Sequence, residues 1–154
     1  MTKLLEVKDL SVHFHTRNGL IKAVDGISFD VAAGKTTAII GESGSGKSVA
    51  CYSLLGLIPK PPGKIESGTA LFDNKDLFQL SEKELRKVRG KGISIIFQDP
   101  MTSLNPTMRI GDQIAETLIV HRGLSADMAM REAIRLLERT RIPEATQRVR
   151  QYPF

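Results

Sequence analysis

Apolar positions in this chain switch between a two-residue and a helical period, and the switches mark out its elements. Leu5, Val7, Val12 and Phe14 partly alternate through Leu4–Phe14, while Ile27, Phe29 and Val31 alternate cleanly through Ala23–Val31. Both stretches predict antiparallel strands, with Ala33-Gly34-Lys35 as a following turn. Thr36-Thr37-Ala38-Ile39-Ile40 is a short β-favouring run that predicts a buried strand. Val49, Ala50, Leu54, Leu55 and Leu57 then line one side of a helix, which the Pro59–Lys64 segment breaks with a surface loop. Ile65 to Asp73 predicts a further strand and Asn74-Lys75 a turn.

The second half is mostly helical in period. Ser81-Glu82-Lys83-Glu84 forms a capping box that opens a short helix ending at Gly90. Ser94-Ile95-Ile96-Phe97-Gln98 predicts a buried strand with a polar carboxyl end. Gly111 to about His121 predicts a helix with Ile114 and Leu118 one turn apart, interrupted by Gly123. Ser125 can cap the next helix, whose Met130, Ala133, Ile134 and Leu137 form an apolar face. Arg131, Arg135 and Arg139 form a basic stripe opposite that face.

One motif carries chemistry. Gly41-Glu42-Ser43-Gly44-Ser45-Gly46-Lys47-Ser48 fits G-x-x-x-x-G-K-[ST], the phosphate-binding loop, and it sits between a predicted strand and a predicted helix as that loop requires. Gly41, Gly44 and Gly46 permit conformations and close approaches that a Cβ blocks. Successive N–H groups can then converge on phosphate oxygens, helped by the positive end of the helix that continues through Val49. Lys47 is the candidate for the outer phosphates, and the Ser48 hydroxyl is the candidate ligand for Mg²⁺. Kinases, GTPases, helicases and transport ATPases all use such a loop, so the motif alone leaves the activity open.

The wider pattern narrows it. Ala23-Val24-Asp25-Gly26-Ile27-Ser28-Phe29, the phosphate loop, and above all Phe97-Gln98-Asp99-Pro100-Met101-Thr102-Ser103-Leu104-Asn105-Pro106, continued by Gly111 and Ile114, resemble the ATP-binding subunits of bacterial dipeptide, oligopeptide and nickel ABC importers. The resemblance covers essentially the whole chain and implies an α/β fold. That fold is a P-loop NTPase cassette core with an N-terminal antiparallel β subdomain and the start of a helical subdomain. It places the β subdomain and core in residues 1–100 and the start of the helical subdomain in 101–154. Phe14 then stands where the family stacks an aromatic on adenine, although a core-facing Phe fits the same pattern. Gln98 matches the glutamine that contacts Mg²⁺ or the attacking water and senses the transmembrane partner. ATP and Mg²⁺ are the implied cofactors. Transmembrane permease subunits, a second cassette (identical or related) and, indirectly, a periplasmic or lipoprotein substrate-binding protein are the implied partners.

Cassettes of this family continue with a Leu-Ser-Gly-Gly signature, an Mg²⁺-binding Asp, a catalytic Glu and a switch His, none of which these 154 residues contain. The expectation is an N-terminal portion, marginally stable and inactive as an ATPase by itself, whose intact parent couples ATP binding and hydrolysis to peptide import. The alternative is a non-catalytic piece that binds nucleotide weakly or only docks on a membrane partner.

Composition changes little. Hydrophobic residues make up 41% and charged residues 25%, ordinary globular usage. The net charge of +5 is scattered along helical stretches without the interleaved aromatics of a nucleic-acid binder, so no nucleic-acid partner is expected. The Arg stripe reads as a solvated helix face, or else as a surface lying near an anionic leaflet. Cys51, the only cysteine, excludes an internal disulfide and is expected to pack as a small residue. No stretch approaches the roughly 20 apolar residues of a membrane span and no signal peptide is evident, so the expected location is peripheral, on the cytoplasmic face of the bacterial inner membrane.

Overall fold

The first alternating run continues past Phe14 into a long hairpin. In the computed structural model β1 spans Lys3–Thr16 and β2 spans Gly19–Ala32, paired antiparallel with Phe14 opposite Ile21. The structure describes residues 2–99 and 103–154, which fall into two compact units divided between Arg86 and Lys87. Residues Pro100, Met101 and Thr102 of the importer-like run lie outside the described residues.

In the first unit β3 (Gly63–Phe72) and the short β4 (Lys75–Asp76) complete a sheet in the order β2-β1-β3-β4. The partial alternation of β1 has a physical cause. Register shifts on both its edges fall between Val7 and Val12, and Asp9 takes a positive φ of 48° there. Such irregularities bend a strand and raise its twist. Gly68 of β3 crosses this bend so closely that a Cβ would stand 2.7 Å from the Lys8 carbonyl oxygen. Serines fix the bend: the Asp9 N–H donates to Ser28 Oγ at 2.9 Å, and Ser67 Oγ donates to the Asp9 carbonyl at 3.2 Å.

The predicted Asn74-Lys75 turn is shifted by one residue. Asp73 and Asn74 form it, with φ of 48° and 60°, the pair of positive values that a two-residue hairpin turn of matching twist needs. Asp76 Oδ1 then accepts from the N–H groups of Ala70 and Phe78, both at 3.1 Å, and so caps a 3-10 turn at Leu77–Gln79.

The first helix, α1 (Lys47–Leu54), packs on β1 and β2. The core joins Val7, Leu10, Val12 and Val24 from the sheet to Ala50, Leu54, Leu55 and Ile58 from α1 and its exit. Leu57, expected on the apolar side of this helix, lies beyond its end and is exposed, because Gly56 turns the chain at φ 62°. Cys51, expected to pack, is also exposed.

Two predicted strands are absent from the fold. Residues 36–41 and 94–97 are irregular, and Ile40 and Ile96 are 92% and 94% exposed. A strand needs a neighbour for its N–H and C=O groups, and none of the described strands runs beside either segment. Near the second segment the only ladder among the described residues is the isolated Arg89–Ile93 bridge.

Helix α2 (Glu82–Val88) has the expected capping box. The Ser81 N–H donates to Glu84 Oε2 at 2.9 Å, and the Glu84 N–H returns to Ser81 Oγ at 3.4 Å. The second unit contains α3 (Ile110–Arg122), α4 (Ala126–Arg139) and α5 (Ala145–Arg148). Gly123, at φ 65°, ends α3, and Ser125 Oγ caps α4 by accepting from the Met128 N–H. Ala115, Leu118 and Ala129 form the centre of the packing, with Ile114, Leu124 and Leu136 around them. The segment after α5 is pinned to the start of α3, where the Gly111 N–H donates to the Val149 carbonyl at 2.8 Å.

Gly111 is needed for that closeness, since a Cβ there would stand 2.7 Å from the Val149 oxygen and 2.8 Å from Met130 Sδ. Gly111→Ala therefore lowers stability. The overpacking cost of about 1–3 kcal/mol exceeds the gain in helix propensity of up to about 1 kcal/mol, because the Val149 carbonyl is held by its hydrogen bond. Urea unfolding measures this, and an unchanged or higher midpoint would refute the packing argument.

A pH dependence arises in the sheet. Glu66 of β3 receives Lys64 Nζ at 2.7 Å and faces His15 Nε2 at 2.6 Å. The Lys64 bond first, and the His15 bond second, hold its carboxyl at about 2 against an ordinary 4.5. A lowered folded-state value stabilises the fold above the unfolded value, and that stabilisation fades as pH falls toward the folded one. Melting temperature therefore falls between about pH 4.5 and pH 2, and Glu66→Gln flattens part of that fall. Identical melting-pH profiles for the two proteins would contradict it.

Candidate functional site

The phosphate loop leaves the irregular segment 36–41 and enters α1 at Lys47. Its path is set by glycine. Gly44 and Gly46 take φ of 82° and 89°, and Gly46 is the residue preceding the first turn of α1. Side chains other than glycine rarely adopt such values. Gly46 also lies against β2, where a Cβ would run into the carbonyl of Ala23 and stand 3.3 Å from Val24 Cγ2. At Gly41 a Cβ would stand 2.7 Å from Ser45 Oγ. The loop closes on itself through the Ser45 N–H, which donates to the Glu42 carbonyl at 3.2 Å.

Lys47 spans this concavity. Its Nζ donates to the carbonyls of Gly41 at 2.8 Å and Glu42 at 2.6 Å, with Ser45 Oγ at 3.2 Å. The ammonium group is thus aimed across the loop and not along the helix. Ser43 and Ser48 are exposed, and Val49 is half-buried behind them. The donor set fits a polyphosphate: a cradle that a Cβ would fill, one cation directed across it, and a hydroxyl at the start of a helix.

Phe14 reaches the same end of the first unit by pairing. Val12 lies opposite Val24, the residue against Gly46, and Phe14 is two residues further along β1. Its ring is half-buried and rests on the backbone of Gly63 in β3, where a Cβ would come within 3.0 Å of the ring. The strand pairing therefore brings Phe14 to the phosphate-loop end of the sheet. Gln98 does not share that unit: it is exposed in the irregular stretch that precedes residue 100.

Sequence reasoning missed one organising residue. Gln113 Oε1 accepts from the Asn105 N–H at 2.9 Å, and its Nε2 donates to the carbonyls of Asn105 and Met108, also at 2.9 Å. Asn105 Oδ1 in turn accepts from the N–H and hydroxyl of Thr107. The importer-like Asn105-Pro106 turn is thus clamped by a side chain from α3, and no short-range spacing signals it.

The fold and the loop are those of a phosphate-loop cassette. The "ABC transporter" family model matches residues 24–153, and the chain belongs to that family. It is 52% identical over 153 residues to the oligopeptide transport ATP-binding protein OppD of Bacillus subtilis, covering 99% of this chain and 43% of that protein. It is 49% identical to the dipeptide transport ATP-binding protein DppD of the same organism, covering 99% and 46%. The chain therefore spans less than half the length of these curated relatives. The dimeric structure of a bacterial ABC transporter cassette superimposes with a TM-score of 0.80 at 24% identity, covering 97% of this chain and 61% of that one. At that identity the likeness speaks for the fold.

Gly46→Ala is expected to displace the loop, because it meets both the positive φ and the Ala23 carbonyl. ATP affinity should fall by at least tenfold while the β1–β2 hairpin persists, as read by nucleotide titration beside far-UV circular dichroism. Unchanged affinity would refute the requirement for this close approach.

Proposed function

We propose that this chain is the nucleotide-binding part of the ATPase subunit of a bacterial peptide importer. The observation that carries the reading is the loop Gly41–Ser48, with Lys47 directed across it and Gly46 seated on β2. The relatives named for dipeptide and oligopeptide transport support the substrate class.

In this reading the N–H groups of Gly44 to Ser48 hold the phosphates of ATP, and the Ser45 N–H and Lys47 both exchange carbonyl partners for phosphate oxygens. The exchange favours phosphate because a charged acceptor makes a stronger bond than a neutral carbonyl. Phe14 offers its ring to adenine. Ser48 would offer its hydroxyl to Mg²⁺, which would neutralise charge on the phosphates, and the resemblance gives Gln98 the same role. Residues 1–100 form the β subdomain and nucleotide core, and 101–154 begin the helical subdomain that meets the permease. The working assembly pairs this subunit with a second cassette and with transmembrane permease subunits on the cytoplasmic face of the membrane, and a substrate-binding protein delivers peptide from the other side. Among the described residues no helix is long and apolar enough to cross a membrane, so attachment through those permease subunits fits.

Lys47→Ala should weaken ATP binding at least tenfold, because it removes the side-chain cation aimed across the loop. The titration is best done in the longest soluble polypeptide containing these residues, and equal affinities for variant and parent would overturn the assignment. Gln98→Ala in the full-length subunit should leave ATP binding intact while lowering transport-stimulated hydrolysis. Parental rates of hydrolysis and import in that variant would remove Gln98 from the coupling role.

A further inference from the structure

A cleft of about 620 Å³ opens in the first unit between the end of β1, the start of β3 and the 3-10 turn at Leu77–Gln79, and no phosphate-loop residue lines it. Its volume falls within the range of about 300–1,000 Å³ typical of small-molecule sites. Its lining combines apolar Pro61, Pro62, Ile65 and Phe78 with the charged or titratable His15, Lys60, Lys64 and Glu66.

The charges in this cleft are unequal in what they can still bind. Glu66 has both carboxylate oxygens engaged, Oε2 by Lys64 and Oε1 by His15, so it offers little to a ligand. Its carboxyl is held at about 2, which keeps it ionised throughout the neutral range. Lys64 is correspondingly occupied. Lys60 has no ion pair among the described residues, and it stands at the apolar rim beside Pro61 and Pro62. With Lys64 and His15 both set against Glu66, Lys60 is the cation left for a ligand. That balance suits a monoanion, since a dianion would leave charge uncompensated. The apolar lining calls for a flat hydrocarbon body, because a bare inorganic ion would leave Phe78 and Ile65 against water. Phe14 does not line the cleft, although Gly63 and Ile65, which share its face of the sheet, do.

We propose that this cleft is a binding site for a small organic carboxylate, its charge set against Lys60 and its apolar body laid on Phe78 and Ile65. No residue of the phosphate loop takes part, so the proposal does not depend on the ATPase reading.

The test is a titration of the ¹⁵N-labelled chain with benzoate, with benzamide as the uncharged isostere and inorganic phosphate as the anion without a body. Benzoate should shift the amides of Glu66, Ser67, Gly68 and Phe78 saturably, with a Kd on the order of 1 mM. Benzamide and phosphate should each bind at least fivefold more weakly, and Lys60→Gln should weaken benzoate by a similar factor. Equal binding of benzamide, equal binding of phosphate, or shifts centred on Gly44–Ser48 would each overturn the proposal, as would shifts that never saturate. If Lys60→Gln fails to fold, the benzoate–benzamide comparison on the parent decides the matter. ATP added alone reports on the phosphate loop independently, so failure of one site leaves the other legible.

Discussion

The seating of Gly46 on the carbonyl of Ala23 is the contact on which the rest of the site depends. It joins the phosphate loop to β2, and β2 is joined to β1 along most of its length. Because the loop's backbone touches the sheet directly, the start of α1 is fixed relative to Val24 and Val12, and through them to the strand that carries Phe14. A side chain at residue 46 would separate these layers by roughly the thickness of a methyl group. Backbone at this spacing has few alternatives, and that stiffness is what a phosphate cradle requires, since N–H groups that must reorganise on binding lose affinity to entropy.

Signals contained within a few residues were legible in the sequence. The Ser81–Glu84 capping box, the Ser125 cap and the stop at Gly123 all form with partners three or four positions away, and each appears in the structure. The β1–β2 hairpin was also legible, because both strands and their turn lie within 30 consecutive residues. The phosphate loop belongs to the same class, as its glycines report their own φ requirement. The Asp73-Asn74 turn was misplaced because Asp and Asn each tolerate left-handed backbone, while the sequence reading gave that freedom to one of them and paired it with Lys75.

The failures share a different cause. Thr36–Ile40 and Ser94–Gln98 have the composition of buried strands, but a strand's hydrogen bonds come from elsewhere in the chain. Composition states a preference for burial and says nothing about the neighbour that provides it. Here Ile40 and Ile96 remain almost fully exposed, each forgoing about 2 kcal/mol of the burial energy its side chain could contribute. The first unit is therefore held by the four-stranded sheet and α1, and not by the segment that leads into the phosphate loop. Thr37 Oγ1, donating to the Asp30 carbonyl at 3.2 Å, is one of the few ties on that segment. Gln113 escaped notice for the same reason, since its partners Asn105 and Met108 are specified by tertiary geometry alone.

Lys47 shows how the loop restrains a flexible cation through its own backbone. Left in water, an ammonium group on four flexible carbons samples many rotamers, and ordering it costs up to about 2 kcal/mol. In this loop three oxygens of residues 41, 42 and 45 already restrain it. Part of the ordering cost is therefore met on folding. In the proposed reading the same bonds oppose binding, because each must be broken as a phosphate oxygen takes its place. Bonds from an ammonium to a carbonyl are themselves charge-assisted, about 1.5–3 kcal/mol each, so the exchange favours only an acceptor that adds a full negative charge of its own. On that reading a neutral ligand gains nothing by displacing the carbonyls, and an anion does.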